Sequence, residues 1–176
     1  SYRLQKQDAL DKSVSELERL GNTVLLGTHY AMMLNARDDI AQIIRNVARQ
    51  EGIESIRIFN KQGAIKFSNL PDEIDRSADI RSELCAVCHK QTPPLETADL
   101  PQRTRLFDTP DGSRKLALMS PVYSEPTCST TDCHVHPPEK KVLGLLEVVL
   151  SLENMDEEIV SHEKEVAGLA IAFFMV

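Results

Sequence analysis

Positive charge is in short supply along these 176 residues: 20 Lys and Arg stand against 27 Asp and Glu, a formal net charge of −7. A nucleic-acid-binding chain needs a basic surface to meet phosphates, so the deficit argues against one. Cysteine is scarce as well. Four are too few to staple a chain of this length as a disulfide scaffold. There is no nucleophile elbow, phosphate loop or H-E-x-x-H zinc helix, which makes catalysis the least supported class of function. No signal-peptide pattern, solenoid repeat or low-complexity tract interrupts the chain. With 41% hydrophobic and 27% charged residues, the composition is that of one ordinary soluble domain with a core of its own.

The apolar periodicity orders that domain. Residues 2 to 35 read as one long helix. On it Val14, Leu17, Gly21, Val24 and Thr28 repeat at alternating four and three, the spacing of a coiled-coil seam, which suggests a parallel homodimer. After a break at Asn35-Ala36-Arg37-Asp38, a second helix puts Ile40, Ile43, Ile44 and Val47 on one face. Then the period changes to that of strands. Ile56, Ile58, Ile65 and Phe67 flank the turn Asn60-Lys61-Gln62-Gly63 as a hairpin. A second hairpin pairs residues 103–109 with 114–123 around Pro110-Asp111-Gly112. A fifth strand, VLGLLEVVLS at 142–151, is apolar on nearly both faces, as a central strand is. Between strands two and three lies a long excursion with a short helix around 78–89. Between strands four and five lies a Pro- and Cys-rich loop at 124–141. The expected fold is α+β: a five-stranded antiparallel sheet, helices on one side, and long helices at both ends standing side by side.

Both ends suggest a piece of something longer. Ser1 opens in the middle of a helical pattern, and Val166 to Val176 (VAGLAIAFFMV) carries no charge. A membrane span needs about 20 apolar residues, so this run is half of one. A packed C-terminal core helix is the plainer reading. The start of a transmembrane helix is favoured, because the residues before it (MDEEIVSHEKE) are polar. The expected division is an N-terminal helical segment at 1–50, membrane-proximal and bearing the seam, and a sensor core at 51–153. A linker helix at 154–165 and the start of a membrane helix at 166–176 complete it.

The residues that carry chemistry are Cys85-Ala86-Val87-Cys88-His89, a C-x-x-C-H attachment signature for c-type haem. Two thiols three positions apart on a helical turn reach the two vinyl groups of one porphyrin as thioethers, and the adjacent His supplies the proximal imidazole. A zinc ribbon, a redox dithiol and a disulfide loop are the alternatives. The second cluster, Cys128-Ser129-Thr130-Thr131-Asp132-Cys133-His134, has the shape C-x4-C-H. All four cysteines thus fall into pairs that end in Cys-His, although only five His exist. Two haems c, attached at Cys85, Cys88, Cys128 and Cys133 with His89 and His134 as proximal iron ligands, are the expected cofactors. A four-Cys zinc site is the main rival.

On these residues the sequence resembles the c-type-haem sensory domains, PAS-like or Cache-like in fold, found outside the membrane in bacterial sensor histidine kinases and chemoreceptors. SIRIFNKQGAIKFSN is similar to their first hairpin, and the first attachment site follows strand two, where PAS-like domains place a cofactor. CHVHPPEKKVLGLLEVVLSL is similar to the second attachment site and last strand of the multi-haem members. The resemblance implies a domain on the periplasmic side of the bacterial inner membrane, held between two membrane helices. Any signalling linker and kinase or methyl-accepting module would lie beyond Val176.

Candidate distal iron ligands are His29, Met32, Met33 and His136, since His and Met are both known axial ligands. His29 sits in THYAMML with Met32 and Met33 one turn later on nearly the same face. His136 follows His134 too closely to reach the opposite side of the same porphyrin, so it would serve the other haem or a propionate. Arg81, Lys90, Arg103 and Arg105 are candidate propionate partners. His162 reads as surface and Met119 as core. Three functions compete. One is a haem sensor of a diatomic gas or of redox state, signalling across the membrane. Another is a membrane-tethered dihaem electron-transfer cytochrome taking electrons from a donor. The last is a Cache-like ligand-binding module whose cysteines hold zinc.

Overall fold

The computed structural model describes residues 2–79, 81–129, 137, 139 and 141–174. Helix α1 runs over Tyr2–Met33 and α2 over Arg37–Val47. Strands β1 (Ile53–Asn60) and β2 (Ile65–Ser68) form the first hairpin. A 3-10 turn at Pro71–Glu73, helix α3 (Glu83–His89) and helix α4 (Leu100–Arg103) fill the excursion. Strands β3 (Thr104–Asp108) and β4 (Arg114–Tyr123) follow, then a 3-10 turn at Pro126–Ser129, strand β5 (Val142–Ser151) and helix α5 (Glu153–Phe174). The five strands make one sheet in the order β2-β1-β5-β4-β3, every neighbour antiparallel. The last strand is therefore central, which is why it is apolar on nearly both faces. The expected α+β fold with an antiparallel five-stranded sheet stands.

Turn chemistry places the hairpins. Gly63 (φ 80°) and Gly112 (φ 86°) take the left-handed conformation that closes each connection. Asn60 reinforces the first turn, its side-chain oxygen accepting from the N–H groups of Gln62 and Ala64, each at 3.0 Å. Ser151 leads into α5 by accepting the Glu153 N–H at 3.3 Å.

One face of the sheet carries the core. Ile56, Ile58, Leu116, Leu118, Leu146 and Val148 pack with Leu17, Val24 and Ala31 of α1 and with Ile40 and Ile44 of α2. Here the seam on α1 is corrected. Leu17, Gly21, Val24 and Thr28 are buried, and Gly21 is where the helix comes closest to the strands. A Cβ there would meet Ser120 Oγ at 3.3 Å and Leu118 Cδ2 at 3.5 Å. The stripe faces the chain's own sheet, so it offers no surface to a second copy, and the dimer loses the argument that suggested it. Thr28 satisfies its buried hydroxyl inside the helix, donating to the Val24 carbonyl at 2.7 Å.

Two boundaries also differ. The helix of the excursion begins at Glu83, later than the pattern suggested, and Arg103 ends α4 instead of opening β3. Helix α5 is continuous over Glu153–Phe174. It meets α1 at Ser13, whose hydroxyl lies 3.7 Å from Met155 Sδ, and is exposed over 160–168 rather than lying along α1. Among the described residues no helix is long and apolar enough to cross a membrane.

Gly144 marks the tightest point between β1 and β5. A Cβ there would lie 2.4 Å from the Phe59 carbonyl oxygen, and backbone cannot swing aside as a side chain can. Gly144→Ala is expected to destabilise by about 2–3 kcal/mol. For a chain of this size that lowers Tm by about 5–10 °C. A urea midpoint equal to the parent's would show that the two central strands part there at no cost.

Candidate functional site

Helix α3 is short, and its first turn closes when the Ala86 N–H donates to the Ser82 carbonyl at 2.8 Å. Cys85 and Cys88 are one turn apart, hence on one face. Both are free, half-buried thiols. Burial, and then the neighbouring Cys85 thiol, pushes the Cys88 thiol above its ordinary value. A redox dithiol needs the opposite shift, toward thiolate at neutral pH. His89 is the last residue of the helix and is exposed. Two free thiols on one face with an exposed imidazole next in sequence fit the covalent attachment that a c-type haem requires.

The chain after α3 turns back at once. The Leu95 N–H donates to the Cys88 carbonyl at 2.9 Å. The next residue, Glu96, clasps the base of the second Cys-bearing loop. Its carbonyl accepts from the Tyr123 hydroxyl at 3.0 Å, and its carboxylate pairs with Lys141 Nζ at 2.7 Å. Tyr123 ends β4, while Lys141 precedes β5 and accepts the Ser124 N–H at 2.8 Å. The segment that carries Cys85 and Cys88 and the base of the loop that carries Cys128 are thereby tied together where β4 ends and β5 begins.

In the second loop, Cys128 sits in the turn Pro126–Ser129. Its N–H donates to the Glu125 carbonyl at 2.8 Å, and the Glu125 N–H lies 3.4 Å from Cys128 Sγ. Cys133, His134 and His136 lie outside the described residues. Glu125 also reaches α1: its Oε2 is 3.4 Å from Nε2 of His29. Glu18, His29 and Met32 fall on one flank of α1 at helical spacing. The flank faces the site's side of the molecule, because Glu18 pairs with Arg103 of α4 at 3.2 Å. Met32 packs against the core and Met33 is half-buried.

Of the proposed propionate partners, Arg103 is otherwise engaged, donating to the Met119 carbonyl and the Ala98 carbonyl, each at 3.0 Å. Arg81 is exposed and turns to Asp79 at 3.3 Å. Lys90 is exposed. His162 is at the surface and Met119 is in the core, as expected. Among the described residues no group of three or more His, Cys, Asp or Glu is placed to hold a metal ion. Sequence reasoning missed Glu96, Tyr123, Lys141 and Glu125. Only Glu125 left a trace, an acidic residue before Pro at the start of a Cys-bearing turn. No family model and no curated protein matches the chain.

Proposed function

We propose that this chain is an extracytoplasmic, PAS-like or Cache-like sensor domain that carries two covalent haems c, senses a diatomic gas or redox state, and signals across a membrane. The observation that supports the reading is the Glu96 clasp, which ties the segment carrying Cys85 and Cys88 to the base of the loop that carries Cys128, where Glu125 reaches His29 of α1. The antiparallel five-stranded sheet with a long N-terminal helix across one face supports the PAS-like or Cache-like form.

Bound haem supplies an iron with an exchangeable coordination position. The protein's part is to hold and report. Cys85 and Cys88 fix one attachment on a single helical face, and His89 follows as the proximal imidazole. Cys128, with Cys133 and His134, is assigned the same duties at the second site. His29 offers a donor from a flank of α1, while Met32 one turn on packs against the core. A signal changes the protein only if it favours one arrangement of these elements over another. Strand β4 offers a route outward. It runs from Tyr123 at the clasp to Arg114, which pairs with Asp156 in the first turns of α5. The same clasp favours one second reading, a dihaem electron-transfer cytochrome, because it ties the segment of Cys85 and Cys88 to the base of the Cys128 loop. Six-coordinate, gas-inert haems exchanging electrons with a donor would select it.

The test is a pyridine haemochrome assay with intact mass on protein exported with the c-type maturation machinery. Two covalent haems per chain are expected. A colourless preparation, or pigment wholly extracted by acidified organic solvent, overturns the reading.

A further inference from the structure

We propose that Arg114 is a positioning residue that sets the direction in which α5 leaves the domain, and that α5 is a lever balanced between two opposing pins. The proposal deepens the outward route of the signalling reading, on which its purpose rests, and every group it uses belongs to the protein. The first observation is how the root of α5 is held. Leu152, just ahead of the helix, is 1% exposed in the core and serves as the fulcrum. Its N–H donates to the Arg114 carbonyl at 2.9 Å, and its own carbonyl accepts the Asp156 N–H at 2.9 Å. The Arg114 guanidinium then closes on both carboxylate oxygens of Asp156, through Nε at 2.8 Å and through Nη2. One residue of β4 thus holds both the backbone before α5 and a side chain one turn on.

The second observation is the pin on the other side. Asn154 donates to the Glu51 carboxylate at 2.7 Å, and the Ser13 hydroxyl of α1 lies 3.7 Å from Met155 Sδ. These pins all fall within residues 152–156. Past them α5 is exposed at 157–158 and at 160–168. The third observation is room to move. An open groove of about 510 Å³ lies between α5 and the turn that carries Asp111 and Ser113, with Glu157 and Ser161 on its helix side. A second groove, of about 460 Å³, lies on the side of Ser13, Glu51 and Gly52, with Glu158 on its helix side. A helix fastened at its first turn, with open space on both flanks, turns about that end as a body. Arg114 holds it toward the β3–β4 turn, and Glu51 holds it toward α1. A change along β4 that loosens one pin hands α5 to the other, which makes the root a two-state element.

The experiment measures one distance in the exported full chain, between gadolinium labels at positions 15 and 165. Both positions are exposed. The labels are carried on a ketone-bearing amino acid, which leaves the cysteines alone. Nine residues of helix carry position 165 about 13 Å from Asp156, so a swing of about 20° moves it about 5 Å. Arg114→Ala and Asp156→Asn release α5 toward α1, and the distance is expected to shorten on that scale. Asn154→Ala releases it toward the β3–β4 turn, and the distance is expected to lengthen. Arg114→Asp combined with Asp156→Arg returns it to the parent's value. Should Arg114→Ala fail to fold, Asp156→Asn against Asn154→Ala decides the matter alone. Shifts of one sign in both, a shift in only one, no shift at all, or a charge swap that restores nothing overturns the proposal. The distance reads no haem signal. A parent without covalent haem therefore defeats the functional reading and leaves the lever to be judged on its own result, so the two failures are told apart.

Discussion

Exported protein with Cys85→Ala and Cys88→Ala together is expected to carry one covalent haem where the parent carries two, and to keep its fold. Neither thiol belongs to the core, which is built from the sheet and from α1 and α2. Helix α3 is seven residues long and rests on the body through neighbouring segments. Removing two half-buried thiols there costs about 1 kcal/mol at most. Far-UV circular dichroism and the urea midpoint should therefore stay close to the parent's while intact mass drops by one haem. His89→Ala separates attachment from coordination. Both thioethers still form, so the mass is that of the parent, but the iron loses its proximal imidazole and the spectrum of that haem changes. Two haems in the double-cysteine variant would mean that Cys85 and Cys88 are not an attachment site. The zinc alternative makes a different prediction, a colourless parent whose metal leaves with a chelator.

What the sequence made legible is what acts over a few residues. Strand β5 has its boundaries and its central place because a ten-residue run apolar on nearly both faces, with Glu147 as its one charge, fits the middle of a sheet. The hairpins follow from Asn60 to Gly63 and from Pro110 to Gly112, where the turn residues sit between alternating runs. The Cys-His clusters are visible because attachment needs adjacent residues. The seam on α1 shows where this kind of reading ends. A four-three repeat serves a partner helix or the chain's own sheet equally well, and nothing local distinguishes them. Gly21 settles the matter only once Leu118 and Ser120 are known to lie beneath it. The site has the same limit. Glu125 and His29, or Glu96 and Tyr123, are far apart in sequence and meet only because the sheet brings the ends of β4 and β5 beside α1. Arg103 looked like a surface cation for an anionic partner, yet its guanidinium bonds the Met119 carbonyl.

The largest loss of stability is expected at Arg57, on the sheet face away from the core. The register sets Ser68, Arg57, Glu147 and Met119 side by side across four strands. The guanidinium grips both oxygens of Glu73, at 2.6 and 2.5 Å, and donates to Glu147 at 2.5 Å. Glu147 is 7% exposed in the middle of the central strand. Arg57→Met leaves two carboxylates without the cation that bonds them both, and breaking a buried pair in this way costs about 3–5 kcal/mol. The pH dependence follows from Glu73, whose carboxyl is held below its ordinary value, first by its hydrogen bonds to Arg57. A carboxyl lowered on folding contributes stability that is complete above its unfolded pKa and is lost as pH falls through the folded one. Acid therefore weakens the parent more than Arg57→Met, and urea midpoints of the two should converge as pH falls below the ordinary glutamate value of about 4.5. A gap that stays constant over that range would remove the network from the account of stability. Arg57→Met with Glu147→Leu tests the cause. Replacing a buried pair by apolar residues of similar size is often neutral or stabilising, so the double variant should recover most of the loss. Recovery would assign the penalty to the stranded Glu147 charge, not to lost packing of the arginine stem. This face lies opposite α1, so haem count in both variants should equal the parent's.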